Sequence, residues 1–173
     1  MTYQAGDTIL YGSQGVFRIA EIAEKDLNGS PVEYYVLKPI FDDRSITFVP
    51  VHSEAINAKM RRVLSVEEIY SLVKAMPDEG TIWIENEKMR RDHYGKILAH
   101  GDRTELVRLI KTLYLHRQEQ RGKGKKLYMT DEKFMKTAER ILYEEFAHVL
   151  NIKLDQVLPF IMEQVQVEEK PRT

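Results

Sequence analysis

The spacing of hydrophobic residues changes once along this 173-residue chain, near residue 60, and that single change limits the fold more than any other feature. Before it, apolar residues come in short alternating or β-branched runs between turn residues. After it, they recur every three or four positions. A chain of this kind reads as a small β module followed by an all-helical domain, an α+β multidomain protein. The boundary is expected near residue 60, with Lys59–Leu64 as a short linker.

Four strands are expected in the first part. Thr8-Ile9-Leu10-Tyr11 opens after Gly6-Asp7 and closes at Gly12-Ser13-Gln14-Gly15. Val16–Ile22 and Val32–Lys38 follow, with Asn28-Gly29 between them as a tight hairpin turn. Ser45–Val49 is the fourth, stopped by Pro50. Short strands with frequent turns suggest a strongly bent sheet or small barrel. Fewer than sixty residues bury only a small core, so docking onto a partner would help such a module.

The second part reads as helices. Ser65-Val66-Glu67-Glu68 has the capping-box pattern, and Pro77 ends that helix. A segment from about Glu85 to His100 ends at Gly101, and Asp102 caps the next, with Leu106, Ile110, Leu113 and Tyr114 on one face until Gly122 and Gly124 break it. Thr130 is expected to cap a longer helix that ends at Asn151. A last helix covers about Asp155 to Gln164 and accommodates Pro159 only in its first turn. Residues 61–166 thus form the helical domain, and 167–173 a flexible tail.

Cysteine is absent, which excludes disulfides, thiolate nucleophiles and Cys-based zinc sites. No apolar run approaches the roughly 18 residues of a membrane span, and no secretory signal is visible, so the expected location is the cytoplasm and no membrane partner is expected. The five histidines have no metal-ligand spacing. Gly122-Lys123-Gly124-Lys125-Lys126 lacks the spacing of a phosphate loop and follows a helix instead of a strand. No nucleophile elbow is present. The expectation is a non-enzyme without cofactor.

The net charge of -1 hides an uneven distribution. Residues 88–126 carry 12 Lys/Arg against Asp92, Asp102, Glu105 and Glu119, a balance of +8. A basic middle in a neutral chain points to a polyanion partner, although a solvated basic face would look the same. Trp83, the one tryptophan, lies between two helices beside this segment. Two roles fit it: an anchor in the core or at a hinge, or an apolar wedge of the kind that holds kinked duplex.

Gly6-Asp7, Tyr11, Gly15-Val16, Glu33-Tyr34-x-Val36-Leu37-Lys38 and Val49-Pro50 together resemble the N-terminal module of the CarD/CdnL family of bacterial RNA polymerase-binding regulators, a module shared with transcription-repair coupling factors. Gly101-Asp102, Tyr114-Leu115-His116-Arg117, Asp131-Glu132-Lys133 and Ala138-Glu139-Arg140-Ile141-Leu142 extend the resemblance to about residue 152. No ATPase motor motif follows the N-terminal module, which sets the coupling-factor reading aside.

The resemblance implies that an SH3- or Tudor-like β module, residues 1–60, docks on the polymerase β subunit, partly by strand pairing. It implies that the helical domain contacts promoter DNA at the upstream edge of the bubble and stabilises the open complex without reading sequence. The polymerase contacts implied are Lys25 and the edge residues Ile46, Thr47 and Phe48. The DNA contacts implied or expected are Trp83, Arg90, Arg91, Lys133 and the basic turn Lys123, Lys125 and Lys126. A monomer associated with the nucleoid through polymerase is expected. A generic RNA- or ribosome-associated module with an SH3-like barrel is the alternative, and a purely structural interaction protein the third reading.

Overall fold

The computed structural model describes residues 3–26 and 28–169, with side chains described through residue 165. Two compact units divide at Val63 and Leu64.

The first unit is a five-stranded antiparallel sheet. Its strands are β1 (Thr8–Tyr11), β2 (Val16–Asp26), β3 (Pro31–Pro39), β4 (Thr47–Pro50) and β5 (Met60–Arg62), in the spatial order β4-β3-β2-β1-β5. A one-turn helix, α1 (Glu54–Asn57), connects the last two strands. Ile9, Phe17, Ile19, Tyr35, Leu37, Val49 and Met60 form the core. They lie on one sheet face because side chains alternate along each strand. The β2–β3 register shifts between Ile19 and Glu21. Such a bulge bends the strand and increases its twist, so the long hairpin can curve around so few core residues. Tyr3 adds to the core edge, with its hydroxyl donating to the Met60 carbonyl at 3.3 Å.

Three sequence expectations change here. The segment Lys59–Leu64 is not a linker: it contains β5, and Ile9, Leu10 and Tyr11 pair with Arg62, Arg61 and Met60. A fragment ending at residue 60 would remove a strand from the sheet. The β2–β3 connection is not a two-residue turn, because Asp26 pairs with Pro31. Within that connection Gly29 has a φ of 84°. β2 also runs past Ile22 to Asp26, since its outer half needs only ladder bonds to β3 and no core.

The second unit comprises α2 (Val66–Ala75), a short 3-10 turn (Met76–Asp78), α3 (Glu87–His100), α4 (Arg103–Gly122), α5 (Met129–Leu150) and α6 (Leu154–Glu169). Ser65 and Glu68 form the expected capping box at α2. Asp102 caps α4 by accepting from the Glu105 N–H. Gly101 ends α3 at a φ of 74°, and Asn151 ends α5 at 55°. Leu106, Leu109, Leu113, Ala138, Ile141, Leu142 and Phe146 fill the core between α4 and α5.

Four details of the helical expectation are corrected. Tyr114 is exposed, and the inward face of α4 turns instead through Val107, Leu109 and Thr112. Thr130 lies inside α5: the N-cap is Tyr128, with no side-chain cap bond. Pro159 sits well inside α6, where it withholds one backbone donor. The backbone of residues 167–169, expected as tail, continues α6, while residues 170–173 lie outside the described residues. Among the described residues no helix is long and apolar enough to cross a membrane, and no group of His, Asp and Glu has the arrangement of a metal site.

Candidate polymerase and nucleic-acid interfaces

In the first unit, β4 and β5 are the edge strands. The hydrogen-bond phase of β4 follows from one bond: the Val51 N–H donates to the Glu33 carbonyl at 3.0 Å. Antiparallel pairs alternate between bonded and non-bonded. In the observed register Val49 opposite Tyr35 and Thr47 opposite Leu37 are then bonded pairs, while Phe48 opposite Val36 and Pro50 opposite Tyr34 are not. The backbone groups of Phe48 therefore point to the free edge. Pro50 has no N–H, so Phe48 carries the outward donor of β4.

The Phe48 ring is also exposed, at 44%. The Lys25 ammonium lies 3.6 Å from its centroid, and the Tyr34 ring meets it edge-on at 6.5 Å. Val32, opposite Lys25 in the register, is exposed as well. Lys25 and Phe48, 23 positions apart in the sequence, thus form one cationic-aromatic patch beside an open strand edge. Ile46 is exposed at 47% just before β4. Thr47 is corrected: its side chain shares the core face with Leu37 and Val49, and its backbone is committed to β3.

In the second unit, the segment from Met76 to Asn86 has no long helix of its own, yet side chains from α3 and α4 hold it at many points. The Lys111 ammonium donates to the carbonyls of Met76, Pro77 and Glu79, at 3.3, 3.1 and 2.6 Å. Arg108 pairs with Glu79 at 3.0 Å. The Ile82 N–H donates to Thr112 Oγ1, and its carbonyl accepts from the Tyr94 hydroxyl, both at 2.9 Å. Burial pushes the Tyr94 phenol up to about 12, partly offset by Arg90, so it stays a donor. Arg90 donates to the carbonyls of Ile84 and Glu85.

Trp83 is the centre of this strapped loop. Its ring stacks on His116 with centroids 3.7 Å apart and planes at 22°. The Arg90 guanidinium lies 4.5 Å over it, and its indole N–H donates to Glu85 at 3.1 Å. Trp83 is half-buried and lines a cleft with Thr81, Leu115 and Gln120.

Arg90 is corrected. It is 2% exposed, and its Nε meets Asp131 Oδ1 at 3.0 Å, so it is not available to a phosphate. The +8 balance shrinks for the same reason: Arg90, Arg103 and Arg108 pair with Asp131, Glu145 and Glu79, all outside the basic segment. Arg91, Lys125, Lys126 and Lys133 are exposed as a phosphate contact requires. Lys123 is exposed too, 3.7 Å from Glu119. Sequence reasoning missed Lys111, Thr112, Tyr94 and His116 as the side chains that hold the Trp83 loop. Helical spacing shows which face of α4 is apolar but not which distant loop its polar residues hold.

An open strand edge beside a cationic-aromatic patch marks the first unit as a candidate docking module. Residues 3–64 match the family model described as the CarD-like/TRCF RID domain. That domain is an RNA polymerase β-interacting domain, and the N-terminal unit of this chain is similar to it. The match ends with β5. None of the curated proteins compared with the chain matches it.

Proposed function

We propose that the protein is a transcription regulator that docks on the polymerase β subunit through its sheet and stabilises the open promoter complex by contacting DNA at the upstream edge of the bubble through its helical unit. The observation that carries the second half is the strapped loop. Five side chains from two helices, Tyr94, Arg90, Arg108, Lys111 and Thr112, fix a segment that adds little to the apolar core, and the residue so fixed is an aromatic. A pre-positioned ring loses little entropy on binding, and exposed lysines supply phosphate contacts that read no sequence.

At the first half, the supporting feature is the outward N–H of Phe48 beside the Lys25–Phe48 patch. An incoming strand gains main-chain bonds there, and its side chains meet a cation and two aromatic rings.

The test is Trp83→Ala in the full chain. Expected is a shorter lifetime of open complexes on a single promoter, with polymerase binding unchanged and the melting temperature lowered by a few degrees at most. An unchanged lifetime in a well-folded variant would remove Trp83 from the mechanism.

A further inference from the structure

The aromatic side chain that can stack on a base without giving up an existing contact is not Trp83 but Tyr128. Trp83 already has His116 against its ring, Arg90 over it and Glu85 on its N–H. Tyr128 is 66% exposed and the neighbouring Met129 is 74% exposed. The Tyr128 side chain makes no cap bond to α5. Two large apolar side chains left bare side by side are informative where a lone one is not.

Their surroundings indicate what covers them. Residues 122–130 contain three lysines and no carboxylate. Of the two acids that follow, Asp131 is bound to buried Arg90, and Glu132 lies 3.5 Å from Lys136. Lys133 stands one turn beyond Met129 on the same helix face. The stretch that carries Tyr128 is therefore basic, which suits a polyanion better than an apolar protein surface. The turn is also fixed: the Lys123 and Lys125 N–H groups donate to the Gln120 carbonyl at 3.0 and 2.8 Å, and the Gly124 N–H to the Arg121 carbonyl at 3.0 Å.

Position agrees with chemistry. The Arg90–Asp131 pair ties the Trp83 loop to the first turn of α5, and Tyr128 sits immediately before that turn. Both aromatic residues thus belong to one end of the helical unit.

We propose that Tyr128 stacks on an unpaired base of forked DNA while Lys125, Lys126 and Lys133 take the flanking phosphates. The inference rests on the DNA-contacting role assigned above and adds its substrate preference: single-stranded character beside duplex. Aromatic stacking combined with backbone neutralisation is the general chemistry of single-strand binding, and it needs no base-specific hydrogen bond.

The experiment uses the full chain and two DNA probes, a fork with an unpaired thymine arm and a fully paired duplex of the same length, with affinities from fluorescence anisotropy at one salt concentration. Tyr128→Ala should weaken fork binding roughly 5- to 150-fold and leave duplex binding within about twofold. Tyr128→Phe should bind the fork like the parent, since the ring and not the hydroxyl stacks. Equal losses on fork and duplex, or no loss on the fork, would overturn the stacking role. Lys125→Glu with Lys126→Glu separates the two readings. If that variant loses affinity for both probes while Tyr128→Ala changes nothing, only the stacking role fails. If the parent chain binds neither probe, the DNA-contacting role fails and the stacking role with it.

Discussion

Arg90 and Asp131 form an ion pair with both side chains almost fully buried, Nε to Oδ1 at 3.0 Å, across 41 residues of sequence. The pair links the start of α3 to the start of α5. Through Nη1 Arg90 also holds the carbonyls of Ile84 and Glu85 at 3.0 and 3.3 Å. One guanidinium therefore fastens the Trp83 loop, α3 and α5 together.

Removing one member of such a pair leaves a buried charge without its partner, a loss of about 3–5 kcal/mol. Arg90→Ala should lower the stability of the helical unit by that order, and Arg90→Lys should recover only part, because a compact ammonium lacks the planar fork that here reaches the carboxylate from Nε and the carbonyls from Nη1. Arg91→Glu, one residue away and exposed, should leave the melting temperature within about a degree yet weaken DNA binding. Thermal denaturation beside DNA affinity for the three variants checks this. Equal destabilisation by Arg90→Ala and Arg91→Glu would contradict the assignment.

The edge geometry of β4 gives a second test. Phe48→Pro removes the outward N–H while keeping every bond to β3, whereas Thr47→Pro removes a bond inside the ladder. Phe48→Pro should therefore fold but lose most of its affinity for the polymerase β subunit, and Thr47→Pro should destabilise the sheet. Phe48→Ala keeps the backbone donor and removes the ring over Lys25, with an expected loss of about 0.5–2 kcal/mol in binding. Circular dichroism with a β-subunit binding assay distinguishes the three.

Salt dependence tests the lysines. Every phosphate that a variant no longer neutralises should reduce the slope of log K against log salt by about 0.9 on duplex. Lys125→Ala with Lys126→Ala should flatten the slope by about 2, on every sequence alike. A change confined to one sequence would point to base reading instead.

The division into sheet and helices was legible because hydrophobic period is a local property, and so were the caps at Ser65, Asp102, Gly101 and Asn151. β5 was not, since Met60-Arg61-Arg62 has neither alternation nor β-branched residues and becomes a strand only because β1 offers it a ladder. The site divides along the same line. Exposed Lys125 and Lys126 stand in a turn that their own glycines announce, whereas the contact of Lys25 with Phe48 could not be read, since it spans β3 between two strands that are not neighbours. The burial of Arg90 could not be read, because its partner is 41 residues away and nothing near Asp131 marks it as buried. Local charge counting failed for that reason: the carboxylates that neutralise Arg90, Arg103 and Arg108 come from other elements.

Alkaline unfolding provides a test of the loop straps. Burial raises Tyr94 and Tyr143 to about 12 each from an ordinary value of 10. A phenol raised in the folded state holds its proton where the unfolded chain has lost it, so ionisation favours unfolding as pH rises. Their contribution to stability should be constant below about pH 10 and be lost between about 10 and 12. Tyr94 contributes through the loop, since its hydroxyl donates to the Ile82 carbonyl and an ionised phenolate cannot. Tyr94→Phe should therefore be less stable at pH 7, having lost that hydrogen bond at about 0.5–1.5 kcal/mol, yet show a shallower decline above pH 10. The fluorescence of Trp83, the one tryptophan, reports the loop directly. If its emission and the helical circular dichroism signal keep the same alkaline profile in Tyr94→Phe as in the parent, the loop is held by its other straps and the Tyr94 hydroxyl is not among the groups that fix Trp83.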